Sequence, residues 1–189
     1  MASPIGHLLT GVGLAVAASR LARRRDSLAL WIGAAVASIL PDLDWIGVVL
    51  GMPTHRVHRR GTHSLLALGA LSAGVGWARG RLIPGSDRYL TFAWSVALLS
   101  HPILDVLTTS PRGAAHGYGI PLFWPVSPQR WAIHQTIFDV PGLAAIRSPG
   151  LIWKSVLPEV CIFGPAAIAL ILASHWIRAR GGAGDDAQC

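Results

Sequence analysis

Long apolar runs joined by short arginine-rich segments constrain this chain more than any single motif does. Several of the runs approach the roughly 17–25 residues needed to cross a bilayer. Only 13% of the residues are charged, against roughly 25% in a soluble domain. Mean hydropathy is +0.48. A chain this short of charge cannot coat a water-facing surface, and its 189 residues suit one domain. The expected fold is all-α: a multi-pass membrane helical bundle of about five apolar helices, with a long irregular loop before the last.

The breaks in the apolar pattern place the helices. A first helix is expected from about Ile5 to Leu21, with Ser3-Pro4 as its start signal. A second apolar segment runs from about Leu28 to Leu50 and is interrupted at Pro41, which disfavours helical geometry at Leu40. Gly51 to Gly61 reads as a polar, basic loop. A third helix is expected from about Thr62 to Trp77 and a fourth from about Tyr89 to Thr108, kinked at Pro102. Residues 110–154 are rich in Gly, Pro and Trp and show no clean period, and a last helix follows from about Val156 to Ile177. Residues 1–180 then form one membrane-embedded domain, and 181–189 a disordered tail. The first apolar run is preceded by no positive charge; Arg23-Arg24-Arg25 follows it, as expected of a retained helix rather than a cleaved leader.

Net charge is +7, and Lys154 is the only lysine. The arginines sit at the ends of apolar runs, where membrane proteins place them, and no DNA- or RNA-binding motif accompanies them. No nucleic-acid partner is expected. With five crossings, Arg20–Arg25, Arg79–Arg88 and Arg178–Arg180 share one side, which the positive-inside rule makes cytoplasmic. Arg56, Arg59 and Arg60 break that rule. Trp124, Trp131 and Trp153 fit an aromatic belt at the membrane surface. Cys161 and Cys189 form no CxxC pair, so any metal must be held by histidine and aspartate.

Ionisable side chains inside these apolar segments point to such a metal. They are His7, Asp42 and Asp44 around Pro41, His63 in Gly61-Thr62-His63-Ser64, and the pair His101 and Asp105. An ionised carboxylate in apolar surroundings is costly unless it is paired or bound to a cation. Imidazole and carboxylate together suit zinc or a similar first-row metal. His101 and Asp105 are four residues apart and share a helix face. Asp42 and Asp44 flank a helix break; the competing reading is a pair of capping carboxylates. Thr62 can cap the third helix, which puts His63 in its first turn. His58, Arg59 and Arg60 add an imidazole and two guanidiniums beside His63, and a guanidinium forks onto phosphate or carboxylate oxygens. On the expected topology all of these converge on the outer leaflet. His116, His134 and Asp139 are weaker candidates, and His55 and His175 read as interface residues.

In order and combination, His7, Pro41-Asp42-Leu43-Asp44, His58-Arg59-Arg60-Gly61-Thr62-His63-Ser64, His101-Pro102-Ile103-Leu104-Asp105 and Pro121-Leu122-Phe123-Trp124-Pro125-Val126-Ser127 resemble the YdjM-like family of inner-membrane-associated, LexA-regulated, metal-dependent hydrolases. The resemblance covers most of residues 1–127; residues 128–189 match only in being apolar. It implies a bacterial inner-membrane hydrolase that uses a divalent metal, and it supplies no substrate.

The expectation is therefore a membrane-bound hydrolase with one or two divalent ions, zinc being best suited. His7, Asp42, Asp44, His63, His101 and Asp105 would hold the metal, and His58 and Arg60 would serve catalysis. Its partners would be membrane lipid and a small-molecule or lipid substrate, a phosphoester being favoured. The alternative is a non-enzymatic membrane protein that transports or senses a metal ion or proton.

Overall fold

A computed structural model describes residues 2–53, 58, 61–85, 87–109, 119–133 and 149–182, with backbone only at 149, 151, 152, 155, 181 and 182. Its architecture is an all-α helical bundle. The helices are α1 (Pro4–Leu21), α2 (Leu28–Ile39), α3 (Trp45–Val49), α4 (Leu65–Leu82), α5 (Arg88–Thr108) and α6 (Pro149–Gly182). Leu40–Asp44 and Gly61–His63 are single tight 3-10 turns.

Among the described residues, three segments are long and apolar enough to cross a membrane: Leu28–Val49, Arg88–Thr108 and Val156–Arg180. About five apolar helices were expected; the other two long helices, α1 and α4, fall short in composition. Helix α1 packs against α2, α5 and α6, so most of its surface meets protein rather than lipid. It buries Gly6, Gly11, Gly13, Ala15, Ala17 and Ser19, small residues that let neighbouring helices come close. A Cβ on Gly13 would lie 2.7 Å from Ala167 Cβ on α6, and one on Gly11 would overlap Ser38 on α2. Helix α4 carries Arg79 and Arg81 in its last turn and buries only Leu68.

Ser3 caps α1 as expected, accepting a hydrogen bond from the Ile5 amide at 3.2 Å. A buried carboxylate completes that helix end. Glu159 of α6 accepts from the Ser3 amide at 2.7 Å, from the Gly6 amide at 3.2 Å and from the Ser3 hydroxyl. Opposite it, the C-terminal end of α1 meets the end of α6 and the start of α5. Arg178 donates to the Arg24 carbonyl at 3.2 Å, and Arg24 lies 4.2 Å over the Tyr89 ring. The arginine clusters thus gather at one end of the bundle. Between the ends lies an apolar core of Ala15, Val16, Leu30, Ala34, Ala93 and Ala97.

Two boundaries differ from expectation. Helix α6 begins at Pro149 rather than near Val156 and runs through Pro158 and Pro165; membrane helices tolerate such prolines because neighbours re-satisfy the freed backbone groups. Helix α4 is capped by Ser64, which accepts from the Ala67 amide at 3.2 Å, not by Thr62. Pro102 lies inside α5, whose span agrees with the helix expected from about Tyr89 to Thr108. Pro41 does break the second segment, as expected. Part of the irregular stretch has order: Ile120 and Trp131 pair as an isolated antiparallel bridge, and Trp124 packs on Gly61. Trp124, Trp131 and Trp153 are exposed, as an interfacial belt requires.

Gly11 links this packing to the polar residues above it. Its missing side chain lets α2 approach α1 at Ser38, whose carbonyl reaches His101. Gly11→Ala is expected to cost roughly 1–3 kcal/mol of stability, the usual penalty for overpacking. Thermal unfolding in detergent would read it, and an unchanged midpoint would contradict this account of the contact.

Candidate metal centre

Four elements bring the predicted side chains together. His7 comes from the second turn of α1, Asp42 and Asp44 from the 3-10 turn after Pro41, His63 from the turn before α4, and His101 and Asp105 from one face of α5. His7, His63, His101 and Asp105 are each at most 1% exposed. The turn at Pro41 lets Asp42 face His63 and His101 while Asp44 faces His58 and Thr62.

The spacing of polar atoms separates a metal site from a hydrogen-bonded cluster. His63 Nε2 lies 3.3 Å from His101 Nε2, 3.4 Å from Asp42 Oδ1 and 3.5 Å from Asp105 Oδ2. His101 Nε2 lies 3.5 Å from Asp42 Oδ1 and 3.8 Å from Asp105 Oδ2. These distances exceed the roughly 2.7–3.2 Å of good N–H···O hydrogen bonds. They are close to the spacing of ligand atoms around one ion: bonds of roughly 2.0–2.1 Å in tetrahedral geometry set neighbouring ligands about 3.3 Å apart. Asp42 Oδ1, both Asp105 carboxylate oxygens and both ring nitrogens of His7 are buried without a hydrogen-bond partner among the described residues. Buried acceptors are rarely left in that state. A shared cation accounts for the carboxylate oxygens and for one ring nitrogen of His7, so the residues fit the divalent ion expected from sequence.

The outer atoms of the histidines are held in a consistent way. His101 Nδ1 donates to the Ser38 carbonyl at 2.7 Å, which leaves the Nε2 lone pair facing the carboxylates. His63 Nδ1 lies 3.0 Å from the Thr62 hydroxyl, and that hydroxyl donates to Asp44 Oδ2 at 2.8 Å. The chain of donors again leaves Nε2 for the centre. Burial holds the His63 imidazole below the ordinary histidine range, favouring the neutral form that can ligate. The His7 ring stacks on that of His101 at 3.6 Å, and its Nε2 lies 3.2 Å from Asp105 Oδ1.

Asp44 stands one step back. Its Oδ1 accepts from His58 Nδ1 at 2.8 Å, and its Oδ2 is the Thr62 partner. It occupies the N-cap position of α3 but makes no side-chain cap bond, so the capping reading does not describe it. His58 is itself buried, 4.6 Å from the Trp45 ring and 5.1 Å from the His63 ring. Three ligand sets can be drawn from these atoms: His7, His101 and Asp105; Asp42, His63 and His101; Asp44, His58 and His63. Two of them share His101 and two share His63, a connectivity that accommodates one ion or two.

Arg59 and Arg60 lie outside the described residues, as do His55, Arg56, His116, His134 and Asp139. His175 is exposed on α6, far along the chain from the cluster. Two contributors have no place in the sequence reading. The Ser38 carbonyl is a backbone group with no sequence signature. Glu159 sits in an apolar span, and as a lone buried acid it was the one signal available.

The profile of the YdjM inner membrane protein family matches residues 1–181 of the chain. No curated protein and no solved structure matches it significantly.

Proposed function

The chain belongs to the YdjM inner membrane protein family, and on that footing we propose that it is a membrane-bound, metal-dependent hydrolase of phosphoester or similar bonds. The observation that carries this reading is the set of buried Nε2 and carboxylate atoms converging at ligand spacing, with Asp42 Oδ1 and the Asp105 oxygens lacking hydrogen-bond partners among the described residues. In this reading His63, His101, Asp42 and Asp105 hold a divalent ion, zinc being best suited to two imidazoles and two carboxylates. His7 completes the shell or holds a second ion with Asp105. A bound ion of this kind supplies Lewis acidity and makes water acidic enough to serve as nucleophile near neutral pH.

The chain's own residues supply the rest. Asp44 fixes the ring of His58, and His58 takes up or returns a proton. Arg60 forks onto the charged oxygens of the attacked group. Asp44 thus acts by positioning, through His58 and Thr62, rather than as a ligand. The apolar core just beyond the ligands favours hydrolysis over ion transport, since it interrupts any polar path through the bundle. With the arginine clusters cytoplasmic, the centre faces the extracytoplasmic leaflet, and a lipid-derived phosphoester becomes the favoured substrate.

The test is elemental analysis of the purified protein together with hydrolysis of an aryl phosphodiester. Stoichiometric metal and chelator-sensitive turnover are expected; metal flux into liposomes without hydrolysis would overturn the reading in favour of transport. Asp44→Asn is expected to keep its metal and lose ~10–100-fold in kcat, the usual size of an outer-shell loss. A variant whose metal affinity falls by much more than about 100-fold would instead make Asp44 a ligand.

A further inference from the structure

The end of the bundle away from the metal centre has a cavity of its own. About 540 Å³ opens between α4 and α5, and Arg79, Arg81 and Arg88 line it together with Ser72, Thr91 and Ser95. Among the described residues no carboxylate lines it. The nearest acid along the chain, Asp87, is engaged in capping α5 through the Tyr89 amide at 2.9 Å. Two of the arginines are steered by aromatic rings: Arg79 lies 5.1 Å from the Trp94 ring and Arg81 5.5 Å from the Trp77 ring.

A second cleft, of about 330 Å³, adjoins the first and shares Ser72, Thr91 and Ser95 with it. Its character is the opposite. Val36, Leu40, Leu71, Val75, Trp94 and Leu98 make it almost wholly apolar. It follows α2, α4 and α5 away from the arginines toward the turn that bears Asp42. One α5 residue from each end, Arg88 and His101, sets the scale: thirteen positions at 1.5 Å per residue is about 20 Å.

A cationic mouth continuous with a greasy slot has the polarity of one amphiphile. We propose that this paired cavity is a binding site for an anionic phospholipid. Its phosphate sits among Arg79, Arg81 and Arg88, and an acyl chain lies in the cleft between α2 and α4. Charge complementarity selects an anionic headgroup over a zwitterionic one, and basic pockets between membrane helices are the usual seat of such headgroups. The apolar continuation selects a lipid over a free phosphate ion. The site rests on observations separate from those of the metal centre and stands whether or not that centre hydrolyses anything.

The test uses the full-length protein in detergent and reads lipid retention by native mass spectrometry. Phosphatidylglycerol, phosphatidylcholine and inorganic phosphate are the probes. One phosphatidylglycerol is expected to stay bound where phosphatidylcholine dissociates. Arg81 and Arg88 are exposed, so Arg81→Gln/Arg88→Gln should fold; it is expected to weaken phosphatidylglycerol roughly 25-fold, about 5-fold per arginine. Metal content should not change. Val75→Trp, which fills the cleft from an exposed position, is expected to weaken phosphatidylglycerol without affecting inorganic phosphate. Equal retention of the two lipids, or an unchanged preference in the double arginine variant, would overturn the proposal. So would full displacement by inorganic phosphate with no effect of Val75→Trp, which would leave an anion site and no lipid site.

Discussion

His101→Ala is expected to strip the purified protein of its metal, weakening binding by more than about 100-fold, since the loss of even an outer-shell partner costs 10–100-fold. Its Nε2 faces His63, Asp42 and Asp105 at 3.3, 3.5 and 3.8 Å, at the middle of the ligand cluster. Its Nδ1 is tied to the Ser38 carbonyl, so removal also frees the link between α5 and α2. Asp42→Ala should have the same outcome for a different reason, because it deletes an acceptor that makes no hydrogen bond of its own. The exposed His175→Ala on α6 is the control and should retain full metal. Elemental analysis after dialysis decides the matter. Full occupancy in both His101→Ala and Asp42→Ala would mean that the cluster is held together by something other than a cation. Chelation of the wild type carries a second consequence. With Asp105 fully buried and Oδ2 without a hydrogen-bond partner among the described residues, removal of the ion leaves a costly buried charge. An ion present at 100 times its Kd contributes about 2.7 kcal/mol to the folded state, and the unfolding midpoint should fall when it is removed.

The residues of this centre were legible in the sequence because each is expensive where it stands. Asp105 amid Ile103, Leu104, Val106 and Leu107, or Asp42 beside Leu40 and Leu43, has no reason to persist in a greasy segment unless something neutralises it. Pro41 marked the break that turns both aspartates inward, and the arginine clusters marked one end of the bundle. The rest was hidden for identifiable reasons. Thr62 read as a cap because a hydroxyl just before an apolar run usually is one; Ser64 took that role, and Thr62 was left to join His63 to Asp44. The start of α6 was missed because residues 110–154, rich in Gly, Pro and Trp, show no helical period and read as one irregular stretch. The central position of α1 was missed because hydropathy records how apolar a helix is and not what surrounds it. Its glycines are there for close approach, a property of pairs of helices.

Glu159→Ala is expected to destabilise the bundle by roughly 3 kcal/mol or more, the order observed when one partner of a buried charged network is removed. The carboxylate serves three donors: the Ser3 amide, the Ser3 hydroxyl and the Gly6 amide. Deleting it leaves them buried with no acceptor, at a helix N-terminus where partial positive charge accumulates. Glu159→Gln should be milder, since one oxygen remains, yet its amide hydrogens would face donors. The effect should reach the metal. His7 is the residue after Gly6, and the first turn of α1 fixes where its ring meets His101 and Asp105. Glu159→Ala is therefore expected to lower both the unfolding midpoint and metal occupancy, whereas His101→Ala lowers occupancy at the ligand itself. Adding excess metal tells the two apart: it should restore occupancy in Glu159→Ala, whose ligands are all present, and fail to do so in His101→Ala. If Glu159→Ala unfolds at the wild-type temperature, the N-terminus of α1 is not held by α6, and the placement of His7 needs another cause.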